Sequence, residues 1–364
     1  MTDPVLVINA GSSTLKLSIL TVGDDTAVAT ATIEDWDGDD VDAVASFVNG
    51  HRIGAVGHRV VHGGDQFTGP VVIDDTTRQA ISALTSLAPL HQTRALAGID
   101  AARRVLPDVT AVACFDTAFH ATLSATASTY AIPASWRQRW GIRRYGFHGL
   151  SHAWAARRAA ALMGRPATEL AMVTCHLGSG ASLCAVAGGR SLDTTMGFTP
   201  LEGLVMGTRS GTVDPGLVLW LLRQGLSIDD VNDGLEQHSG LLALAGTADM
   251  REVLAARRAG DPTAKDAFDV YLHRLCRETA AMTAALGQID ALVFTGGVGE
   301  HAPEVRAAAV ARLAYLGTTI DPIANQTATG DAVLTTSNAS VATVVVTARE
   351  DVEIAAQVRH LLTG

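Results

Sequence analysis

The sequence is short of charge, aromatic rings and cysteine, and each shortage excludes something. Only 18% of its 364 residues are charged and 5% aromatic, against 48% hydrophobic, so the chain can build a large buried core. The four cysteines, Cys114, Cys175, Cys184 and Cys276, are scattered and lack a metal-type CxxC pair. They read as small buried hydrophobes in a reducing compartment. No apolar run reaches the ~18 residues of a membrane span. The N-terminal stretch "MTDPVLVINAGSS" has no basic segment of the kind that opens a signal peptide. The expectation is a soluble, cytoplasmic protein with no membrane partner. A net charge of -10 without clustered Lys and Arg argues against a nucleic-acid partner. It leaves room for an anionic substrate, because a few local arginines can make a positive pocket. GxxxxGK[ST] is also missing, which excludes a P-loop.

What is present is an α/β alternation in a chain long enough for about two domains. Strand candidates are "PVLVINA", "KLSILTV", "AVGHRVVHG", "VTAVACF", "LAMVTCHL", "SLCAVAGG", "DALVFTGG" and "TVVVTA". Helices are marked by their ends. "SHAWAARRAAALMG" is expected to open at Ser151 and close at Gly164, and "DPGLVLWLLRQG" to start at Asp214-Pro215 and end at Gly225. A long helical pattern covers about 264–286, and "DVEIAAQVRHLL" closes the chain.

Two hairpins echo each other. "VINAGSSTL" and "VTCHLGSGASL" both run from a strand through a polar residue, a spacer and Gly-Ser into another strand. Asn9, Gly11 and Ser12 match His176, Gly178 and Ser179 at one offset. Either two Gly-Ser turns coincide, or the domain is duplicated with a phosphate-facing hairpin in each half. Glycine lets backbone N–H groups close on an anion, and the hydroxyls of Ser12, Ser13 and Thr14 and the ammonium of Lys16 suit phosphate. His176, Gly178, Ser179 and Gly180 form the second candidate cradle. A third glycine segment, "FTGGVGEH", follows the strand "DALVF". It resembles a dinucleotide fingerprint without the acid that the βαβ unit requires. A surface packing flat against adenine or ribose and a plain strand-to-helix turn are its two readings.

Polar side chains recur where strands end. Arg59 sits in "GHRVVHGG", Asp116 in "ACFDTAFH", His148 in "RRYGFHGLSH" and Arg209 in "GLVMGTRSGTVDPG". Singly, Arg59 could be a structural ion pair, His148 a core histidine and Asp116 a turn-former. Together with three glycine segments they suggest oxyanion recognition, for which arginine is the preferred side chain.

In this order, with "APLH", "FDTAFH", "HLGSGAS", "TPLEGLVMGTRSGTVDPG", "ADMREV" and "FTGGVGEH", these blocks resemble the motifs of acetate kinases over nearly the whole chain. The resemblance implies a duplicated actin-like ATPase (ribonuclease H-like) α/β fold, with nucleotide in the cleft between two domains. Domain I is expected at 1–118 plus the C-terminal helix 352–364, and domain II at 119–351. It implies reversible Mg²⁺-dependent phosphoryl transfer (Mn²⁺ being an alternative) from ATP to acetate, giving ADP and acetyl phosphate, in a homodimer.

By the same resemblance, Arg59 and Arg209 hold the carboxylate and the migrating phosphoryl group, His148 contacts it in the transition state, and Asp116 organises Mg²⁺. Asn9 and Glu350 belong to the metal site, and Ser12 and Lys16 to the first phosphate hairpin. Val61, Leu90, Phe147 and Pro200 match the methyl pocket. Asp249, Met250, Arg251 and the segment Gly296, Gly297, Val298, Gly299 and Glu300 match the adenosine side. A carboxylate nucleophile is ionised at pH 7 and needs no general base, unlike the hydroxyl of a sugar. Four departures touch donor preference and the acyl side. Ser179 stands where the family has Asn, Thr212 where it has Asp, "APLHQT" lacks Asn-Pro, and the segment between Leu20 and Gly57 is short and acidic. Propionate or another short carboxylate, a weak paralogue with another donor, and an actin- or chaperone-type nucleotide-gated module are the competing readings.

Overall fold

The computed structural model describes residues 3–11, 14–21, 26–36, 38, 40–336 and 339–363, with position 90 described by its backbone alone. The chain divides into two compact units, one of residues 1–121, 147–154 and 349–364, the other of 122–146 and 155–348. The stretch 147–154, which the sequence assigned to the second domain, thus belongs to the first unit with His148.

The first unit is built on six strands: β1 (Val5–Ala10), β2 (Leu15–Leu20), β3 (Ala27–Ile33), β4 (Ala55–Val60), β5 (Val71–Val72) and β6 (Ala111–Phe115). Their order is β3-β2-β1-β4-β6-β5, with β1, β4 and β6 mutually parallel and the other pairings antiparallel. Both faces are covered, which is why "VLVI" and "AVACF" are continuously apolar rather than alternating. Strand alternation tells the faces apart. Ile8 and Ala10 meet Gly98 of the Pro89–Val105 helix. Gly57, which pairs with Val7, lies on the other face, where an added Cβ would fall 2.6 Å from Ile354 and 2.8 Å from Val358 of the Glu350–Thr363 helix. Glycine at 57 is what lets that last helix lie so close.

The second unit repeats the plan with β7 (Ala171–Leu177), β8 (Ala181–Ala187), β9 (Arg190–Thr194), β10 (Ala291–Thr295), β11 (Ala332–Val333) and β12 (Ala342–Val345). Its order is β11-β12-β10-β7-β8-β9, with β7, β10 and β12 parallel and the outer pairings antiparallel. Strand for strand this is the first sheet again, so the chain has the duplicated actin-like fold. The echoing hairpins β1–β2 and β7–β8 occupy equivalent places. The Pro262–Leu286 helix packs on β7 and β8; Asp261 caps it through Thr263 and Ala264 N–H, and Pro262 opens it.

All eight strands expected from sequence are present. Those without a sequence signal are β3, β5, β9 and β11, which lie outside the parallel trio of each sheet. Two of these are two residues long and β3 alternates half-buried with exposed residues, so no long apolar run marks them. Two helix readings need correction. The helix expected at Ser151 starts at Gly149, and Ser151 is fully buried inside it. His148 adopts a left-handed φ of 57° and its carbonyl accepts from His152 N–H, so the backbone starts this helix without a serine cap. The "GGVGEH" loop is itself a helical turn, Gly296–His301, ahead of the Pro303–Arg312 helix. Among the described residues no helix is long and apolar enough to cross a membrane.

Candidate active site

Three parallel strands end side by side, and their alternation aims a set of polar groups the same way. Asn9, Arg59 and Asp116 each lie two residues beyond Val7, Gly57 and Cys114, on the face covered by the Glu350–Thr363 helix. That helix begins with Glu350, so four residues distant in sequence meet. Arg59 Nε lies 3.1 Å from both Asp116 oxygens and Nη2 lies 2.7 Å from Oδ2. Arg59 Nη1 reaches Glu350 at 3.1 Å and Asn9 Oδ1 at 3.3 Å, while Asn9 Nδ2 donates to Glu350 at 3.1 Å.

Two carboxylates thus share one guanidinium in a largely buried place; only 1% of the Asp116 side chain is exposed. Burial pushes the Asp116 carboxyl above its ordinary range against the pull of Arg59, and Glu350 adds to the rise. Burial works against the Arg59 charge, but Asp116 and Glu350 outweigh it and hold the guanidinium protonated.

His148 sits beside this cluster along the chain fold. Gly149 N–H donates to the Asp116 carbonyl at 2.9 Å, and a Cβ at 149 would come within 2.1 Å of that oxygen. Only glycine permits the contact that brings His148 to Asp116. Phe147 is buried, its carbonyl 3.0 Å from His120 Nε2 and its ring edge-on to His62 at 5.5 Å. Val61 follows β4 and is half-buried. Leu90 lies in the first turn of the Pro89–Val105 helix, its side chain outside the described atoms. Ser12 also lies outside the described residues. Lys16 is exposed on β2, in register with Asn9. Gln92, which the sequence reading passed over, is fully buried. It accepts from His62 N–H at 3.3 Å and donates to the His62 and Ile81 carbonyls at 3.0 and 3.2 Å. It fixes the segment after Val61.

In the second unit Arg209 pairs through Nε with Glu236 at 3.1 Å and donates through Nη1 to the Pro200 carbonyl at 3.4 Å. Glu236 was not legible as its partner, because 26 residues of loop and helix intervene between them. Thr212, in place of the family's Asp, has a structural task here: its hydroxyl accepts from Gly203 N–H at 3.0 Å, and its own N–H returns a 3.0 Å bond to the Gly203 carbonyl. It closes the loop that presents Arg209.

The second hairpin opens onto a cavity of about 460 Å³. Gly178, Ser179, Asp249, Met250, Arg251, Gly297 and Val298, all singled out from sequence, line it. Gly207, Ala248 and His301 join them from within the same motif blocks, and Leu241, Leu254, Tyr271 and Ala302 join without a sequence signal, since apolar residues look alike in any core. Other expected members do not line the cavity. Gly180 closes the hairpin by accepting from Gly178 N–H at 3.0 Å, and His176 lies on β7 beneath it. Gly296, at φ 78°, passes so close to Leu177 that a Cβ would meet its carbonyl at 2.8 Å, and Gly299 is buried against Phe294. Glu300 accepts from Ala348 N–H at 2.9 Å. Asp249 caps the Met250–Arg258 helix and pairs with Arg251.

Behind the glycine turn lies Arg306, 1% exposed. It donates to the Gly299 and Glu300 carbonyls at 2.8 and 2.6 Å and to Asn325. Burial lowers its pKa from the ordinary value, yet these acceptors keep it in place.

The acetokinase family model matches residues 39–356. An acetate kinase from Synechococcus sp. (strain JA-2-3B'a(2-13)) is 50% identical over 314 residues, 86% of this chain and 78% of that protein. The crystal structure of Porphyromonas gingivalis acetate kinase superposes with a TM-score of 0.92 at 32% identity, covering 99% of this chain and 100% of that one. A propionate kinase from Francisella tularensis subsp. tularensis SCHU S4 gives 0.89 at 34%, covering 98% of each. Likeness of that length and depth admits one assignment: the chain belongs to the acetokinase family.

Proposed function

We propose that this chain is an acetate kinase, transferring the terminal phosphoryl group of ATP to acetate to give acetyl phosphate and ADP, reversibly. The observation that carries the reading is the cluster of Arg59, Asp116, Asn9 and Glu350 at the ends of three parallel strands. Asp116 faces a guanidinium in bidentate contact, so it is placed to hold charge rather than to take a proton from an alcohol. A carboxylate acceptor needs no such base. What remains is orientation and neutralisation of the phosphoryl oxygens, for which Arg59, Arg209 and His148 are the proposed groups. Val61, Leu90, Phe147 and Pro200 are proposed to receive the methyl group. Asn9, Lys16, His176, Gly178, Ser179 and Gly180 take the phosphates, and Asp249 to Arg251 with Gly296 to Glu300 take the adenosine.

The donor set fits Mg²⁺. Two carboxylates and an amide oxygen are hard ligands, and crowding both carboxylates on one guanidinium leaves the cluster net negative. Asp116, Glu350 and Asn9 would hold the ion, which when bound would neutralise the donor's phosphate oxygens. Among the described residues no group of three or more His, Cys, Asp or Glu gathers as a metal site. A cation that keeps waters and phosphate oxygens in its shell does not require one.

Homodimerisation and a cytoplasmic location belong to the same proposal. The Pro215–Arg223 helix buries none of its residues and exposes Leu217, Leu219 and Trp220, with Leu226 and Ile228 beyond it, which supports packing of a second copy. None of the four cysteines forms a disulfide among the described residues, as a reducing compartment would keep them.

The test is acyl hydroxamate formation by purified protein with Mg²⁺, run with acetate and propionate against ATP, GTP and pyrophosphate. Acetyl hydroxamate from acetate and ATP is the expected result, and no product from any carboxylate would overturn the reading. Propionate is the second acceptor to measure, because one methylene changes binding in an apolar pocket by only ~1–3 kcal/mol.

A further inference from the structure

Arg209 is anchored at one edge of its guanidinium and open at the other. Its Nε lies 3.1 Å from Glu236 Oε2, and both side chains of the pair are partly buried. Nη1 donates to the Pro200 carbonyl at 3.4 Å and approaches Met206 Sδ at 3.8 Å. Nη2 has no hydrogen-bond partner among the described residues.

Glu236 comes from the Ile228–Gln237 helix, whose last turn is stitched to the backbone on either side of Arg209. Thr208 Oγ1 donates to the Glu236 carbonyl at 2.9 Å, and Ser210 N–H donates to the Leu235 carbonyl at 3.0 Å. Just past the helix, Ser239 N–H donates to the Thr208 carbonyl at 2.8 Å. Two of these bonds satisfy carbonyls that a helix end leaves open, so the arginine loop and the helix end fix each other. Helix electrostatics does not explain the carboxylate there. The last turn carries the negative end of the helix dipole and prefers a cation, yet this one has no basic residue. Glu236 is out of place for its helix and in place for Arg209.

Resting on the kinase reading, we infer that Glu236 is a positioning residue for phosphoryl transfer: it holds the Nε edge of Arg209 so that the Nη edge meets the substrate oxygens. An arginine is long and rich in rotamers, and a transition-state donor is effective only where its geometry is set beforehand. With Nε held by Glu236, Nη1 and Nη2 are left to meet a carboxylate or phosphoryl group end-on. Glu236 acts through Arg209 and not on the reacting atoms.

A double-mutant cycle on kcat/KM for acetate tests this. Glu236→Ala should lower kcat/KM about 10–100-fold, the cost of a misplaced donor. Glu236→Gln, whose amide oxygen can still accept from Nε, should recover most of that loss. In the Arg209→Ala background, Glu236→Ala should cost less than about twofold, because the side chain it positions has gone. KM for ATP and the melting temperature should stay as in the wild type. A partly exposed ion pair adds little stability, and the helix loses an unfavourable end charge. Unchanged kcat/KM in Glu236→Ala overturns the proposal, as does a near-normal rate in Arg209→Ala. A lower melting temperature with no recovery in Glu236→Gln also overturns it, since a purely structural pair would behave so. Wild-type protein that forms no acyl phosphate from any carboxylate overturns the kinase reading and this role with it. Wild-type activity with equal losses from Glu236→Ala in both backgrounds overturns the role of Glu236 alone.

Discussion

The two halves share a strand order and differ in what stands at the strand ends. Where β1, β4 and β6 finish, the chain places Asn9, Arg59 and Asp116; where β7, β10 and β12 finish, it places Gly178, the Gly296–His301 turn and Val346. One half collects charge, the other glycine and apolar surface. A duplicated scaffold thus fixes positions while leaving the chemistry at each position to the individual side chain.

Removing the charged groups should give the largest effects. Arg209→Ala is expected to lower turnover about 10²–10³-fold or more with the fold intact, measured as kcat for acetyl phosphate formation. A near-normal rate would take Arg209 out of the site. Arg59→Ala should combine a similar loss with a stability loss of about 3–5 kcal/mol in urea unfolding, because Asp116 would be left buried and unpaired. If only activity falls, the cluster is less buried than its geometry indicates. Asp116→Asn sharpens the metal assignment: the rate loss should come with a raised Mg²⁺ requirement, and an unchanged metal profile would contradict it.

The glycine half should respond differently. Gly296→Ala puts a Cβ on a left-handed backbone against the Leu177 carbonyl and should destabilise the protein by more than the roughly 1 kcal/mol of ordinary glycine conformational effects. Gly297→Ala adds a methyl where nothing lies within 4 Å, on the cavity wall. It should keep the melting temperature and raise KM for ATP about tenfold or more, with KM for acetate unchanged. Equal responses from the two variants would erase the distinction between a structural and a binding glycine.

The smallest effect is a pH dependence confined to the first unit. Burial lowers His58 from 6.5 to about 3 and His62 to about 4, so both stay neutral in the folded protein. The unfolded chain takes up these protons below about 6.5 and the folded one does not, so stability should fall as pH drops from about 6.5 towards 4. His58→Phe should flatten that slope in urea melts; an unchanged slope would show that other groups titrate there.

Much of this was legible in advance, for a physical reason. Doubly covered parallel strands are apolar throughout, β2 and β8 follow the glycine turns as their hairpin partners, and helix ends need Asp-Pro starts and glycine stops, so these eight strands and the Pro215–Arg223 and Pro262–Leu286 helices could be read off. Arg59 and Asp116 were visible as polar residues at strand ends, and His148 and Arg209 as polar residues in glycine-flanked segments ahead of helices. Gln92, Glu236 and Arg306 were not, because a buried polar residue that fixes a backbone has no local pattern. The start of the helix at Gly149 was also hidden, since it is set by contact with the Asp116 carbonyl.

The sequence by itself carried the order of the polar blocks and, through their motifs, the family resemblance, and its echoing hairpins pointed to a duplication, because motif spacing and glycine placement are local constraints that each segment carries with it. Only tertiary structure decided that Glu350 meets Asn9 from 341 positions away, that Thr212 locks Gly203, and that Arg306 is buried behind the Gly296–His301 turn. Those outcomes depend on which faces of separate elements are pressed together, and no local preference encodes that.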